Sequence, residues 1–358
     1  MPMTELEIFR ATVNHQRPER ILYHAGFVQD LHKRLVAHTG AEDLGKHYGF
    51  YSPRGLPVEE KPGTPKRDYT KYWEGETLPE GTTFDGYGVA MVPSGFYHFW
   101  GYISPLRKAQ SLADIENFPL EDAAAFDFSK MAAAAQEYHA QGLVVGGWIG
   151  HTYENAWQIR GYEEFLLDMI ERPAWAECLL GRLAENRRVV AVANARAGAD
   201  VLHCGDDIAS QCALMFQPEL WRKMMLPLWR RTWQEAKAAN PDVKIWYHSD
   251  GNIIEVVGDL VEAGLDILNP LQPECLDLDA IYKRYGKRIS FDGTIGTQST
   301  MPFGTPDAVR ARVKEVIEKY GRHGGLIVSP THVLEPEVPL ANIDAFAAAC
   351  REFGTRVK

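Results

Sequence analysis

The stretch Lys-Ile-Trp-Tyr-His-Ser-Asp-Gly-Asn at residues 244–252 is the strongest indication of the fold. Its first half is apolar and aromatic, as in a buried strand. It then runs directly into polar residues and a glycine. A strand that ends in His248 and Asp250 places both side chains at the open end of a sheet or barrel, where α/β proteins bind ligands. The alternative is a strand followed by an ordinary Asx-type turn, with His248 satisfied by a neighbour.

Other apolar runs lie on both sides of this stretch, and helical stretches separate them. The runs begin near Leu143, Asp200, Leu265, Arg288 and Gly325. Strand and helix thus alternate over six or seven units, which predicts a parallel sheet with crossover helices. Each run ends in polar residues, and no Gly-x-Gly-x-x-Gly or P-loop motif occurs. These features favour an α/β fold of the (β/α)8 TIM-barrel type over a dinucleotide-binding open sheet.

The N-terminal part of the chain has a different character. Residues 52–83 are rich in Pro, Gly, Lys and Glu, which predicts an irregular surface excursion. Residues 84–100 alternate with turn formers, which predicts a small β hairpin or meander. We expect one barrel domain over residues 1–358, with an N-terminal irregular and β excursion at about residues 50–100. The excursion either covers an active site or is a decorative loop.

The composition limits the class of protein. The chain of 358 residues is 45% hydrophobic and 24% charged, as in ordinary globular proteins. A net charge of −10 disfavours a nucleic-acid or anionic-membrane partner. The sequence shows no signal peptide and no apolar run that could span a bilayer. Its five cysteines are scattered without a Cys-x-x-Cys pair, which indicates reduced thiols. We therefore expect a cytoplasmic protein.

If the barrel is right, the carboxyl ends of the strands form one rim. The ionisable groups expected there are Asp206, Asp207, His248, Asp250, Asp292 and His332, with His151 and Glu154 in the loop after the first run. The expected substrate-binding residues are Tyr153, Gln211, Tyr247, Gln272 and Asp292. Burial of such groups near each other shifts their pKa values, which is the usual condition for acid–base work or metal binding.

Three explanations of this rim remain open. His248, Asp250 and His332 could hold a metal, since two imidazoles and a carboxylate leave open coordination positions. Alternatively, His248 or His332 is a general acid or base in a metal-free site. In the third explanation, these groups simply cap helices or pair with arginines such as Arg160.

Several motifs resemble the uroporphyrinogen decarboxylase superfamily and follow its order. They are Gly198-Ala199-Asp200, Gly205-Asp206-Asp207 with Gln211, and the stretches at residues 217–221 (QPELW), 248–252 (HSDGN), 268–273 (LNPLQP), 302–306 (PFGTP) and 329–332 (SPTH). The superfamily contains the porphyrinogen decarboxylases and the corrinoid-linked methyltransferases of the methylcobamide:coenzyme M type. The resemblance implies a (β/α)8 barrel.

The resemblance is closer to the methyltransferase branch. The decarboxylases hold substrate carboxylates with an Arg-Gln-Ala-Gly-Arg segment, whereas the equivalent residues 22–27 (LYHAGF) contain no arginine. A polyanionic porphyrinogen would bind poorly without those cations. The methyltransferases bind zinc through His-x-Cys and a distant Cys. The matching positions here are His248, Asp250 and His332, so harder donors replace both thiolates.

The resemblance therefore implies a metal-assisted methyltransferase for a small methylated substrate. Its divalent metal would be zinc, with manganese or iron(II) as alternatives, at His248, Asp250 and His332. The candidate catalytic residues are His332, Asp207 and Glu154, and Asp85 would match the decarboxylases' catalytic aspartate. No Asp-x-His-x-x-Gly corrinoid motif occurs in this sequence, so a separate protein would carry the corrinoid.

Two other functions stay open. One is a metal-free decarboxylase, in which His332 and an aspartate stabilise a carbanion. The other is a non-catalytic barrel that binds a small ligand. The sequence identifies neither the substrate nor the oligomeric state, for which a homodimer is one option.

Overall fold

The computed structural model describes residues 2–95 and 99–355. Its strands, in chain order, are β1 (Leu22–Tyr23), β2 (Arg54–Gly55), β3 (Glu59–Glu60), β4 (Thr83–Phe84), β5 (Ala90–Pro93), β6 (Trp100–Ile103), β7 (Phe126–Asp127), β8 (Val145–His151), β9 (Val201–Gly205), β10 (Lys244–His248), β11 (Ile267–Asn269), β12 (Ser290–Asp292) and β13 (Leu326–Val328). Eight of these described strands form one parallel sheet in the order β1-β13-β12-β11-β10-β9-β8-β2. Helices surround the curled sheet, which confirms the (β/α)8 barrel.

The helices follow the strands as the predicted alternation requires. They are α1 (Glu5–Val13), α2 (Gln29–Thr39), α3 (Leu44–Tyr48), α4 (Leu112–Glu116), α5 (Met131–Ala140), α6 (Tyr153–Arg160), α7 (Tyr162–Glu171), α8 (Pro173–Ala197), α9 (Pro218–Met224), α10 (Leu226–Ala239), α11 (Val257–Ala263), α12 (Leu278–Tyr285), α13 (Thr300–Phe303), α14 (Pro306–Tyr320) and α15 (Leu340–Gly354). Short 3-10 turns lie at Thr70–Tyr72 and Ala123–Ala125. Among the described residues, every helix is too short or too polar to cross a bilayer.

Strand β10 shows how the sequence directs side chains to two sides of the barrel wall. Successive residues of a strand face opposite ways. Tyr247 is buried outside the barrel, where its ring packs against Trp229 and Trp233 of α10, with centroids 6.0 and 5.7 Å apart. Trp246 and His248 therefore face the interior, and their rings stack at 5.8 Å. This alternation places His248 at the mouth and Trp246 one layer below it.

Helix α1 closes the opposite, N-terminal end of the barrel. Thr4 and Glu7 form the reciprocal hydrogen bonds of a capping box at its start. Its apolar face, including Phe9, joins a buried cluster with Leu22, Val201 and Ile267 from three strands. Because this end is filled, a ligand has access to the interior from the mouth or from the side.

The barrel wall has an opening between β1 and β2, because these strands lie at the two ends of the sheet and are not neighbours in the strand order. The Tyr51 N–H donates to the Tyr23 carbonyl at 2.8 Å across this opening. The sequence predicts an irregular excursion here, yet Arg54–Gly55 pairs with β8 and belongs to the barrel. The predicted meander is present as the antiparallel sheet β4-β5-β6. Residues 96–98 of that meander lie outside the described residues.

Candidate active site at the barrel mouth

The two histidines and the carboxylate proposed as metal ligands converge at the mouth. His248 ends β10, Asp250 lies in the turn that follows, and His332 comes after β13. One ligand atom from each of the three residues lies within 4.8 Å of the others. The rings of His248 and His332 are 6.2 Å apart. We call these three residues the outer cluster.

The imidazole of His248 is oriented by a hydrogen bond to Asn269. Its Nδ1 lies 2.6 Å from Oδ1 of Asn269, at the end of β11. An amide oxygen only accepts, so Nδ1 carries the proton and the Nε2 lone pair is available. Nε2 lies 3.7 Å from Asp207 Oδ1 and 3.9 Å from Asp250 Oδ1. An outer hydrogen bond that fixes the tautomer in this way is typical of metal-ligating histidines.

The turn after His248 is held by polar contacts from its neighbours. The Asp250 N–H donates to Asp207 Oδ1 at 2.8 Å, and the Gly251 N–H donates to the buried Gln272 at 3.2 Å. Gly251 has a φ of +83°, and a Cβ there would lie 2.4 Å from the Ser210 carbonyl oxygen. The tight turn therefore requires glycine. Asp207 and Gln272 are thus close to the outer cluster, as predicted.

A second group of ionisable side chains lies beside the first. We call His151, Glu154 and Asp206 the lateral cluster, since their ligand atoms also lie within 4.8 Å of one another. His151 pairs with Glu154 at 2.9 Å, and Glu154 also accepts the Asp207 N–H at 3.0 Å. Burial lowers the pKa of His151, but the hydrogen bond and charge of Glu154 outweigh it and raise that pKa to about 9. The Glu154 carboxylate thus links the two clusters.

Asp206 is fully buried and saturated with hydrogen bonds. Its Oδ1 accepts the N–H groups of Thr152 (2.7 Å) and Glu154 (3.2 Å) at the start of α6. Its Oδ2 accepts the indole N–H of Trp229 at 2.9 Å. Burial raises the pKa of Asp206 to about 7. With three donors from its own chain, Asp206 fixes α6 and the barrel wall to each other.

Asp292 faces the barrel interior but lies below the mouth. Its oxygens are 3.0 and 3.1 Å from Nε2 of His24, and they also accept hydrogen bonds from Trp246 Nε1 (2.9 Å) and Ser329 Oγ (2.7 Å). Burial raises the pKa of Asp292, but His24 and these donors outweigh it, so the pKa is lowered. Asp292 is thus an ionised partner of His24.

Four predicted site residues lie elsewhere or have another role. Tyr247 is a correction, because it faces the helix layer. Tyr153 is also a correction, since its ring is buried against Phe165 and Phe216. Asp85 accepts hydrogen bonds from Tyr87 and Val89 within its own turn. Gln211 is exposed and donates to Gln298 at 2.9 Å, on the outer edge of the mouth.

Sequence reasoning missed several residues that contribute to the site. Asn269 ends β11 and His24 follows β1, so the rule that strand ends meet at one rim could have found both. Trp148 of β8 is 58% exposed although it pairs in register with the inward-facing His203. Its ring lies 5.2 Å from that of His151. Trp148 is therefore an exposed aromatic surface beside the lateral cluster.

Residues 102–353 match the family model "Uroporphyrinogen decarboxylase (URO-D)". The chain belongs to this family. Curated relatives include uroporphyrinogen decarboxylases from Chlorobium limicola (24% identical over 192 residues, 52% of each chain) and Pseudomonas syringae (24% over 275 residues, 73% of this chain and 75% of the relative). The chain spans about half the length of the Chlorobium relative and of one from Pelodictyon phaeoclathratiforme.

A solved structure, a methyltransferase from Methanosarcina mazei, has the same fold. It superposes with a TM-score of 0.66 over 98% of this chain and 99% of its own, at 17% identity. Membership of this enzyme family agrees with the expectation from the motifs.

Proposed function

We propose that this protein is a metal-assisted methyltransferase, which moves a methyl group from a small methylated substrate to a corrinoid carried by a separate protein. The observation that carries the proposal is the convergence of His248, Asp250 and His332 at the mouth. The three residues come from two strand ends that lie about 80 residues apart in the chain, so their meeting is a property of the fold.

The donor set fits a divalent metal. Two imidazoles and one carboxylate suit zinc, manganese or iron(II). Ligand atoms about 2.1 Å from a tetrahedral zinc lie roughly 3.4 Å apart, so the 3.9 Å between His248 Nε2 and Asp250 Oδ1 needs only a small adjustment. The three side chains are half-buried, which leaves room for a substrate atom in the open coordination positions.

A metal in this position would act as a Lewis acid, lowering the pKa of a bound hydroxyl or thiol or polarising a methoxy oxygen. The residues around it would position the substrate and move protons. Burial raises the pKa of Asp207, and the negative charges of Glu154 and Asp250 act in the same direction. Asp207 is held by the Asp250 N–H, and its raised pKa favours the protonated carboxyl, which is placed to give a proton to the substrate oxygen or sulfur that loses its methyl group. Glu154 positions Asp207 through the backbone N–H of that residue.

The proposal is tested with the full chain, its bound metal and a reduced corrinoid protein. Methanol, methylamines, methanethiol and methoxyarenes serve as methyl donors, and the visible absorbance of the corrinoid is followed. We expect at least one donor to change the absorbance and the His332→Ala variant to lose the activity. His139→Gln is the matched control, because His139 pairs with Asp200 at the filled end of the barrel.

A metal-loaded protein that leaves the corrinoid spectrum unchanged with every donor would contradict methyl transfer. Release of CO2 from a porphyrinogen would then identify the decarboxylase that the curated relatives suggest. The barrel interior disfavours a polyanionic porphyrinogen, because no arginine or lysine is present among the described residues that line its cavity.

A further inference from the structure

A chamber of about 590 Å³ lies inside the barrel. Its inner wall consists of strand residues that face the interior, namely Val201, His203, Trp246, Ile267 and Ile327. Its outer wall comes from residues 24–27, His32 and residues 42–45 and 50–53, beside the opening between β1 and β2. The volume falls within the range of small-molecule sites. Trp246 stacks on His248, so the chamber lies one side-chain layer below the outer cluster.

The chamber contains one fixed imidazole donor. Nε2 of His24 is hydrogen-bonded to both oxygens of Asp292. The His24 side chain remains 32% exposed, and no contact among the described residues occupies its Nδ1. Burial lowers the pKa of His24, but the charge of Asp292 outweighs it and raises the pKa above its usual value. The contact with Asp292 thus favours the protonated imidazole, in which the Nδ1–H group is a donor on the chamber wall.

The other groups of the chamber add no arginine or lysine among the described residues, and Asp292 balances the charge of His24. His203 is neutral at physiological pH, since burial lowers its pKa to about 4. The carboxylates of Glu42 and Asp43 lie at the exposed edge of the chamber. They disfavour a ligand with several negative charges. The chamber thus offers one N–H donor, that of His24 Nδ1, to a single anionic group of a ligand, and it disfavours a polyanion.

The remaining wall is largely aromatic. Phe27, Phe50 and Tyr51 line one side, and Trp246 lines the other. The rings of Phe27 and Phe50 are 6.1 Å apart. Aromatic side chains bind planar rings in stacked or edge-to-face arrangements. The chamber therefore combines aromatic walls that can hold a planar ring with one N–H donor, that of His24.

We propose that the chamber binds an aromatic monocarboxylate, with its ring between Trp246 and the phenylalanines and its carboxylate accepting a hydrogen bond from His24 Nδ1. This inference deepens the proposed function, because such a ligand would be the body of the methyl donor. The inference rests on the proposed function only in assuming that the bound molecule then loses its methyl group. Binding itself needs neither a corrinoid nor methyl transfer.

Isothermal titration of the full-length protein tests the proposal with three probes. They are 4-methoxybenzoate, its neutral amide 4-methoxybenzamide, and acetate, which has the charge without the ring. We expect the benzoate to bind at least about tenfold more tightly than either of the others, as one charged hydrogen bond or one buried ring accounts for at least that factor. Equal binding of the amide or of acetate would overturn the proposal.

Two variants locate the carboxylate. His24→Gln should weaken benzoate binding about tenfold and leave amide binding unchanged. His38→Gln is the matched control, because His38 forms a similar pair with Asp344 on the surface at 2.9 Å. His248→Ala should keep benzoate binding. If His248→Ala loses it while His24→Gln keeps it, the carboxylate binds at the metal and the proposal is wrong.

The ring is tested separately, in case His24→Gln disturbs the buried Asp292. Phe27→Leu should weaken benzoate binding several-fold and leave acetate binding unchanged, since only the ring contacts the phenylalanine. Unchanged benzoate binding in this variant would place the ring outside the chamber. A protein that binds benzoate and transfers no methyl group would contradict the proposed function alone.

Discussion

The outer and lateral clusters contain the same kinds of residues but differ in what their lone pairs do. In the lateral cluster, each carboxylate already accepts hydrogen bonds from its own chain. In the outer cluster, His248 Nε2 lies 3.7–3.9 Å from the nearest carboxylate oxygens, beyond hydrogen-bond distance. The Nε2 lone pair of His248 is thus not taken up by the carboxylates beside it.

This difference distinguishes a cluster that can bind a metal from one whose side chains hold the fold together. A metal ligand must offer a lone pair, and a carboxylate that accepts two or three N–H groups has few left to offer. The outer cluster is therefore the better candidate for a metal, and the lateral cluster holds α6, β8 and β9 in place. Glu154 connects the two, since it accepts hydrogen bonds from His151 and from the backbone of Asp207.

The largest effect is expected from removing a ligand of the outer cluster. His248→Ala should lower the metal affinity by more than about 100-fold. Loss of a metal ligand costs more than loss of the hydrogen bond that orients the ligand, which alone costs about 10- to 100-fold. Elemental analysis after dialysis measures the metal that remains. The matched change in the lateral cluster, His151→Ala, should leave the metal content unchanged. If both variants lose the metal equally, the distinction between the clusters fails.

The next effect concerns stability. Asp206→Asn should lower the free energy of unfolding by about 2–4 kcal/mol, because an amide nitrogen would face N–H groups that now donate to a carboxylate. Urea unfolding at about pH 8, where the carboxylate is ionised, measures the loss. The metal content should not change. A variant that keeps its stability but loses its metal would make Asp206 a ligand.

A smaller effect is expected from a change at Asn269, which lies behind His248. Asn269→Ala should weaken metal binding about 10- to 100-fold, because the hydrogen bond from Nδ1 orients the ring. Competition with a chromophoric chelator measures the affinity. Asn269→Asp keeps an acceptor oxygen and should retain binding. An alanine variant with unchanged affinity would show that the ring is held by its stacking on Trp246 instead.

The sequence predicted the barrel and the outer cluster for a physical reason. Parallel strands in a barrel end at one rim, so a polar residue after a buried strand has a known location. The runs that end in His248 and in His332 obey this rule. The same rule, applied with period-two alternation, places Tyr247 outside the barrel once His248 is inside. The prediction for Tyr247 thus contradicted information already present in the sequence.

Other features depend on register across the whole chain. His24 and Asp292 are separated by 268 residues, and they meet because β1 and β12 both flank β13. Neither local pattern nor motif reports this pairing. The saturation of Asp206 depends on Trp229 and on the start of α6, which three separate elements bring together. Whether a carboxylate can bind a metal or only stabilises the fold therefore depends on the N–H groups that donate to it. Those groups come from distant parts of the sequence and are known only from the structure.

The smallest expected effect is the pH dependence of the stability that the pair of His151 and Glu154 provides. The His151 pKa is raised from 6.5 to about 9, so its contribution to stability is complete below pH 6.5 and is lost as the pH rises through about 9. Burial raises the pKa of Glu154, but His151 outweighs it and lowers that pKa below 4.5. The Glu154 contribution is thus present above pH 4.5 and is lost as the pH falls through the lowered value. The ion pair stabilises most between these limits.

His151→Gln should therefore cost most stability near pH 6, and the cost should shrink by about 1–2 kcal/mol near pH 10. Urea unfolding of both proteins across this range measures the difference. Glu154→Gln removes the other half of the pair and should show the same profile. A cost that is independent of pH would mean that the pair is not ionised. The imidazole of His151 would then be neutral, and its Nε2 lone pair would be available to a metal despite the hydrogen-bonded carboxylate of Asp206.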